Sequence, residues 1–392
     1  MRKYKLLIIP NSLSMFGGGE HLAFDMAKKL KGMCDVSLLN PISKRDEQRR
    51  DKASLLREYG MLEDQIVDVQ CSSFNLRLFK TEDVIFMVPK PAGLRRLADA
   101  IRKTDSIYCI THNPLLLAYA VFFANVYKKK FVFAIQNRIF GSIFESTPGL
   151  LTKSGAVVYR QVLKQIRYFH SLNSYDTGIV KKRIPKARVY QIPGFAEFKD
   201  QKAKVNQKKF TALFVGRLPR YQKGVDLFCE VAEKVARREP GIEFRIAGAG
   251  GDGEPLVKRL AEKYPDSVKW LGFLPYEKVK EQYKTASLLA FTARGDELRY
   301  FPLVFLEAQS FGIPIVTFDG DGYRGIVTDG VEGALVKKFD TERFAEQVIG
   351  YYRMWKGSKA RYQSLMRRVS SLTKKKFGDG VIIPKMGRAF RP

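Results

Sequence analysis

The sequence predicts an α/β protein of two domains, each a parallel sheet covered by helices, and three observations carry this prediction. Short apolar runs alternate with amphipathic helical stretches along the chain, which is typical of parallel sheets with helical crossovers. The length of 392 residues exceeds what one hydrophobic core usually organises. A charged stretch with few apolar residues, Glu197 to Lys209, lies near the middle and indicates a linker.

The first half begins with a β-loop-α unit. A buried-strand run over Leu6 to Ile9 leads through a glycine-rich loop into a helix in which Leu22, Met26 and Leu30 recur every four residues. Asn113 as N-cap and Pro114 after it predict a helix up to Val126. Further strands are predicted over Val36 to Leu39, Ser106 to Ile110, Phe131 to Ile135 and Val189 to Ile192.

The second half repeats the alternation after the linker. Its predicted strands are Phe210 to Val215, Glu243 to Ala247, Val268 to Leu271, Leu288 to Phe291, Ile313 to Phe318 and Ala334 to Val336. The predicted helices include Val225 to Arg237 and Glu254 to Lys263. A basic helical segment from Lys359 leads to the end of the chain.

The charge excludes some classes of function and favours others. Lysine and arginine number 69 against 40 acidic residues, a net charge of +29, which favours phosphates, nucleic acid or an anionic membrane as partners. The four cysteines and three histidines have no disulfide or zinc spacing, so a reducing cytoplasm is expected. The longest apolar stretch, Pro114 to Tyr127, is shorter than the about 20 residues that span a bilayer, and no signal peptide is recognisable.

Two glycine loops follow predicted strands. The loop Phe16-Gly-Gly-Gly-Glu20 precedes a helix, where backbone amides can approach a phosphate. The loop Gly248-Ala-Gly-Gly-Asp-Gly253 has the same context. The first loop is not G-x-G-x-x-G, and glycines that only satisfy the dihedral angles of a turn are the alternative for both loops.

Two further segments place charged groups at strand ends. Arg217 and Lys223 lie in the loop after the first strand of the second half, where open α/β sheets bind ligands, and two cations suit a diphosphate. Pro302 is placed to open a helix, so the amides of Leu303 and Val304 are free to bind an anion. Glu307, one turn later, can accept hydrogen bonds from a vicinal diol such as a ribose. Solvated surface cations and a glutamate that complements the helix dipole are the alternatives.

An ordered set of motifs in the second half resembles the nucleotide-sugar domain of the family 4 retaining glycosyltransferases. The set is VGRLPRYQKG, IAGAGGDG, WLGFLP, LVFLEAQSFGIPIV and DGVEGALV. The resemblance implies the GT-B fold, two Rossmann-like domains facing a central cleft. It divides the chain into an acceptor domain (1–195), a nucleotide-sugar domain (196–372) and a tail (373–392) that crosses back to the first domain.

The resemblance also implies roles for individual residues. It assigns Arg217 and Lys223 to the donor diphosphate, Gly18 and Gly19 to its approach from the first domain, and Glu307 to the ribose. The amides of Leu303 and Val304 take phosphate oxygens, and Leu274 lies near the base. No cofactor and no metal are implied, because the nucleotide sugar is itself a substrate.

The sequence departs from the family pattern at two positions. Arg299 occupies the slot of the first of two paired glutamates, and Gln136 stands where a histidine is common. A cation at Arg299 favours a donor sugar with a negative charge such as a uronic acid, unless Arg299 pairs with Asp296 or Glu297 and the donor is neutral.

Two other groups invite a chemical interpretation. Asp319-Gly-Asp321 has the D-x-D spelling of metal-dependent transferases, but a carboxylate pair without further ligands is weak support for a metal. His112 stands at a strand end before the N-cap Asn113, and a hydrogen-bonded structural role is the alternative to a role in the cleft.

The sequence therefore predicts a metal-independent retaining glycosyltransferase that moves a sugar from a nucleotide diphosphate sugar to a glycan or polyprenyl-linked acceptor. We expect it in the cytoplasm, peripheral on an anionic membrane face, because basic surfaces gain affinity for anionic headgroups. The competing hypothesis is a catalytically idle scaffold that binds nucleic acid or another anionic polymer.

Overall fold

The structure, a computed structural model, describes residues 3–11, 18–43, 60–79, 82–135, 157, 159–195, 205–206, 208–299 and 301–392. Contacts divide the chain into two compact units. Unit 1 comprises Met1–Ile192 with Ile383–Pro392, and unit 2 comprises Pro193–Ile382. The predicted fold class, two parallel α/β sheets of the GT-B type, is confirmed.

Unit 1 is built on one eight-stranded sheet with the order β4-β3-β2-β1-β5-β6-β7-β8. All described neighbours pair in parallel except β3 and β4, which form an antiparallel hairpin. The strands are β1 (Tyr4–Ile9), β2 (Cys34–Ile42), β3 (Ile66–Phe79), β4 (Glu82–Pro89), β5 (Ser106–Cys109), β6 (Lys130–Ile135), β7 (Tyr168–Ser171) and β8 (Arg188–Gln191).

Helices return the chain between these strands. They are α1 (Gly18–Leu30), α2 (Pro91–Lys103), α3 (Pro114–Val126) and α4 (Ser174–Arg183). The predicted cap is present, because the Asn113 side chain accepts a hydrogen bond from the Leu116 amide and Pro114 is the first helical residue. Buried side chains of α2, α3 and α4 form one core with the central strands.

Three strands of unit 1 were not predicted from the sequence, namely β3, β4 and β7. Strand β3 carries polar residues among its apolar ones, which hides the apolar run of a buried strand, whereas β4 contains an apolar run over residues 84–88 and was overlooked. Strand β7 contains His170, which is buried because both ring nitrogens are satisfied. One nitrogen bonds the Tyr108 hydroxyl and the other bonds the Ile192 carbonyl, each at 2.7 Å.

Unit 2 is built on a six-stranded parallel sheet with the order β11-β10-β9-β12-β13-β14. Its strands are β9 (Phe210–Val215), β10 (Ile242–Ala247), β11 (Val268–Gly272), β12 (Leu288–Phe291), β13 (Ile315–Phe318) and β14 (Gly333–Val336). The helices are α5 (Arg220–Lys223), α6 (Val225–Arg238), α7 (Glu254–Lys263), α8 (Tyr276–Thr285), α9 (Leu303–Ser310), α10 (Thr341–Gly357), α11 (Lys359–Phe377) and α12 (Asp379–Phe390).

The last helix belongs to both units of the contact division, since the boundary falls between Ile382 and Ile383. Its end packs on unit 1. The Phe390 ring lies 4.5 Å from the ring of Tyr108, and the Tyr4 hydroxyl donates to the Gly387 carbonyl at 3.3 Å. Ten terminal residues therefore complete the fold of the first unit.

Candidate active site

The candidate site of unit 2 lies where the chain order reverses in its sheet. Strand β9 pairs with β10 on one side and with β12 on the other, so the loops after β9 and β12 lie side by side at the carboxyl edge. In open α/β sheets this switch point is where ligands bind. Arg217, Lys223 and Arg299 lie in these loops or the short helices within them, and α9 follows directly.

Backbone hydrogen bonds at Leu218 fix the loop after β9, and the loop carries an exposed cation. Leu218 is fully buried, its amide donates to the Gly250 carbonyl at 2.8 Å, and its carbonyl accepts from the Gly253 amide at 2.9 Å. The neighbouring Arg217 is exposed, and its guanidinium donates to the Gln222 side chain at 3.2 Å. The second glycine loop therefore supports the Arg217 loop, because a Cβ at Gly253 would lie 2.4 Å from the Leu218 carbonyl oxygen.

Lys223 is positioned by the glycine that follows it. Gly224 has a φ of 60°, and a Cβ there would lie 2.0 Å from the carbonyl oxygen of Thr292. The Thr292 hydroxyl donates to the Gly224 carbonyl at 2.9 Å. Only glycine permits this approach of the two loops. The Lys223 ammonium lies 5.3 Å from the centre of the ring of Phe291, the last residue of β12, so the cation lies beside that strand end.

The loop after β12 adds a third basic group. Arg294 forms an ion pair with Asp226 at the start of α6, and its amide donates to the Gln222 carbonyl at 3.2 Å. A 3₁₀ helix over Gly295–Arg299 follows. Arg299 is exposed at its end. The side chains of Asp296 and Glu297, its proposed partners, lie outside the described residues.

Helix α9 starts at Leu303 with Pro302 as its N-cap, and no side chain caps it. The amides of Leu303 and Val304 are therefore among the first N–H groups, which have no partner within a helix. Glu307 lies one turn further and is partly exposed. Its carboxylate accepts a hydrogen bond from the Tyr283 hydroxyl at 3.0 Å. The carboxylate is thus held by a contact from α8.

Tyr283 is only 1% exposed, and its ring lies 5.5 Å from that of Phe311. Burial, with the Glu307 carboxylate as the next cause, raises the pKa of Tyr283 well above its usual value. The hydroxyl therefore stays protonated and remains a donor to Glu307. The sequence analysis did not single out this residue; its four-residue spacing from Val279 is typical of the buried face of an amphipathic helix.

The remaining predicted residues lie elsewhere. Leu274 follows β11, two strands from β9 at the same edge of the sheet, and packs partly buried against the core. Gly18 and Gly19 are the first two residues of α1 in unit 1. Gln136 lies outside the described residues. Arg217, Lys223, Arg299, Leu303, Val304 and Glu307 thus share the β9 and β12 strand ends, and Leu274 does not.

The surroundings of the D-x-D pair and of His112 do not resemble those of a metal site. Arg324 binds both Asp319, at 2.6 Å, and Asp321, at 3.5 Å, and its hydrogen bond lowers the pKa of Asp319. No group of three or more metal-binding side chains occurs among the residues that the structure describes.

His112 is 4% exposed, and neither ring nitrogen has a hydrogen-bond partner among the described residues. The hydrogen bond expected for a structural histidine therefore stays a prediction. The His112 ring packs edge-on against Phe133 at 5.3 Å. Burial lowers the pKa of His112 to about 3, so the ring is neutral near neutral pH.

None of the described helices has the length and apolar character needed to cross a membrane. The four cysteines are free thiols, three of them buried.

Sequence comparison places the second half among known proteins. Residues 195–363 match the model of a family described as glycosyl transferases group 1. The chain is 28% identical over 181 residues to the alpha-D-kanosaminyltransferase of Streptomyces kanamyceticus, covering 43% of this chain and 46% of that protein. It is 33% identical over 144 residues to the D-inositol 3-phosphate glycosyltransferase of Frankia alni, covering 34% of each. The chain thus spans less than half the length of these curated relatives.

Solved structures match over nearly the whole chain. HepE of Anabaena in complex with UDP and glucose superposes with a TM-score of 0.71 at 15% identity, covering 98% of both chains. A variant of S. aureus TarM, in complex with fondaparinux, alpha-GlcNAc-glycerol and UDP, superposes with a TM-score of 0.72 at 12% identity, covering 99% of this chain and 100% of that one. At these identities the likeness concerns the fold.

Proposed function

We propose, from the match of residues 195–363 to the model of the glycosyl transferases group 1 family, that the chain is a retaining hexosyltransferase. It transfers a sugar from a nucleotide diphosphate sugar to a glycan or lipid-linked acceptor at the cytoplasmic face of a membrane. The observation that carries the proposal is the juxtaposition of two cationic loops and a helix N-terminus at the switch point of the unit 2 sheet.

In this proposal Arg217 and Lys223 bind the diphosphate of the donor. Both belong to one loop, and that loop is fixed by Leu218 on one side and by Gly224 against Thr292 on the other. The amides of Leu303 and Val304 take phosphate oxygens at the positive end of α9. When the bond to the sugar breaks, negative charge grows on the leaving diphosphate. Fixed cations and amides stabilise that charge without reorganising.

Glu307 accepts hydrogen bonds from the ribose hydroxyls in this proposal. A carboxylate offers several lone pairs, so one oxygen can keep the Tyr283 hydroxyl while the group still binds a diol. Tyr283 is then a positioning residue, since it acts through Glu307. We place the base near Leu274, beside the exposed ring of Phe273. The assignment of Gly18 and Gly19 to the donor diphosphate rests on the resemblance alone.

Relatives support an acceptor that carries phosphate or lipid. One is named for D-inositol 3-phosphate, and another, from Mycolicibacterium smegmatis and 28% identical over 140 residues, is named a phosphatidyl-myo-inositol mannosyltransferase. The net charge of +29 suits an anionic acceptor or the anionic membrane that presents it. We therefore propose a peripheral protein of the cytoplasmic membrane face.

The test begins with a thermal-shift panel of nucleotides and nucleotide sugars. A ligand at about 100 times its dissociation constant stabilises by roughly 2.7 kcal/mol, so the best base and sugar are identified together. Calorimetry then compares the wild type with Arg217→Ala and Lys223→Ala. Each should weaken nucleoside diphosphate binding by about 1–3 kcal/mol.

Lys258→Ala is the matched control, because it removes the same charge from an exposed position on α7. Equal affinities in all four proteins would overturn the diphosphate assignment. Tight nucleotide binding without sugar transfer to any lipid or glycan acceptor would favour the idle scaffold.

A further inference from the structure

The outer face of helix α3 is unusually apolar for a helix on a protein surface. Its 13 residues, PLLLAYAVFFANV, include no charged side chain. One face is buried in the unit 1 core through Leu116, Leu117, Ala120, Val121 and Ala124. The opposite face is apolar too, apart from the exposed Asn125 at its edge. Phe122 and Val126 are 57% and 54% exposed, and Leu115 and Tyr119 lie on the same side at helical spacing.

An all-round apolar helix is normally enclosed by protein or by lipid. Helix α3 is neither buried all round nor long enough to span a bilayer. Its outer face is thus an apolar surface on the outside of unit 1.

Cations follow the carboxyl end of this face, since Lys128 and Lys129 come directly after α3. Lys103, which ends the neighbouring helix α2, instead lines a cavity with Asp35, Asp64 and Asp99. Among the described carboxylates none lies within 4.0 Å of the Lys128 and Lys129 ammonium groups, whereas Arg102 of α2 pairs with Asp99 at 3.2 Å.

The backbone at Lys128 makes this lysine unexpected. Its φ of 52° lies in the left-handed region, directly after the C-cap residue Tyr127. Helices that end in this way usually place glycine there, because a Cβ is disfavoured. A glycine would fit the same backbone more easily. The positive charge of Lys128 is therefore the property that explains why a lysine stands at this position.

We propose that the α3 patch, formed by Phe122, Val126, Lys128 and Lys129, docks unit 1 on a membrane of anionic phospholipids. The apolar side chains enter the interface between headgroups and acyl chains, and the lysines bind phosphate groups around them. A second copy of the chain is disfavoured as the occupant, because a symmetric contact would bring the same lysines together. The inference rests on the membrane association in the proposed function but not on sugar transfer.

The test is sedimentation with vesicles of phosphatidylcholine alone or with phosphatidylglycerol added. Phe122→Ser with Val126→Ser should weaken binding to anionic vesicles about tenfold or more, since two half-exposed apolar side chains no longer enter the bilayer. Lys128→Gln with Lys129→Gln should weaken it about thirtyfold at low salt. What binding the lysine variant retains should resist salt, because apolar insertion is not screened.

Two matched variants control for composition. Phe339→Ser removes a similarly exposed aromatic ring from unit 2, and Lys374→Gln with Lys375→Gln removes the same charge from α11. Both should bind vesicles like the wild type. Lys128→Gly is the sharpest variant, since it should melt at the same or a higher temperature and yet bind anionic vesicles about fivefold more weakly.

Equal loss of binding in the α11 and α3 variants would overturn the proposal, and so would wild-type binding that does not distinguish neutral from anionic vesicles. A concentration-dependent dimer that the Phe122 and Val126 changes abolish would also overturn it in favour of self-association. Nucleoside diphosphate binding in solution tests the proposed function separately, and the α3 variants should leave it unchanged.

Discussion

Replacing Tyr283 with phenylalanine tests how the candidate ribose site is built. The substitution keeps the ring that packs near Phe311 and removes only the hydroxyl that donates to Glu307 at 3.0 Å. A hydrogen bond to a charged group contributes about 1.5–3 kcal/mol. Glu307 is partly exposed, so water can replace the lost donor, and we expect the lower end of that range for the free energy of unfolding.

The effect on ligand binding separates positioning from stability. If Glu307 binds the ribose, the wild type should prefer a nucleoside diphosphate over its 2′-deoxy analogue by about tenfold or more, which corresponds to one hydrogen bond to a charged acceptor. Glu307→Ala should abolish this preference. Tyr283→Phe should give an intermediate preference, because the carboxylate remains but is no longer held in one orientation.

The assay is calorimetric titration of the three proteins with both nucleotides, accompanied by denaturant unfolding. Ser310→Ala is a suitable control, since the Ser310 hydroxyl bonds the backbone carbonyl of Glu307 and not its carboxylate. Equal affinity of the wild type for the two nucleotides would refute the ribose assignment. A full preference retained in Tyr283→Phe would refute the positioning role alone.

Three further predictions follow from single contacts. The pKa values of buried His112 and His170 are lowered to about 3 and about 4, so the unfolded chain binds more protons below about pH 6.5 and stability should fall as the pH falls. His112→Phe should be less acid-sensitive by about 1.4 kcal/mol at pH 5.5 in thermal melts across pH, and an unchanged slope would contradict the burial of a neutral ring. Gly224→Ala should destabilise unit 2 and weaken nucleotide binding, because its Cβ would collide with the Thr292 carbonyl; wild-type unfolding and affinity would show that the two loops can separate freely. If Arg299 meets the donor sugar, the wild type should prefer a uronate donor over its neutral hexose and Arg299→Glu should reverse that order, whereas a neutral preference unaffected by the mutation would show that Arg299 faces away.

Periodicity was sufficient to predict the parallel sheets, because their buried strands are continuous apolar runs and the connecting helices carry apolar residues at helical spacing. Periodicity failed to predict strand β7, which contains polar residues. Strand β7 tolerates His170 and Ser171 in the interior because both form buried hydrogen bonds, His170 to Tyr108 and the Ile192 carbonyl and Ser171 to Thr177. Such partners become visible only when the chain is folded.

The residues of the candidate site likewise divide into those that could be predicted from the sequence and those that could not. Arg217, Lys223 and Glu307 could be named from their positions after strands or in the first turns of a helix. Tyr283 could not, because its role depends on α8 packing beside α9. The support that the second glycine loop provides for Leu218 was equally hidden, since a glycine needed for close backbone approach looks the same in sequence as one that binds phosphate.

The position of helix α12 at the end of the sequence determines when unit 1 can complete its packing during synthesis. A ribosome releases strands β1 to β8 first, but the groups that contact Tyr4 and Tyr108 in the finished fold lie at Gly387 and Phe390. Unit 2, whose residues form one continuous stretch, can close before the last ten residues emerge. The unit that is translated first is therefore completed last, and a chain truncated before Ile383 would carry all residues of the second unit beside a first unit that lacks part of its packing.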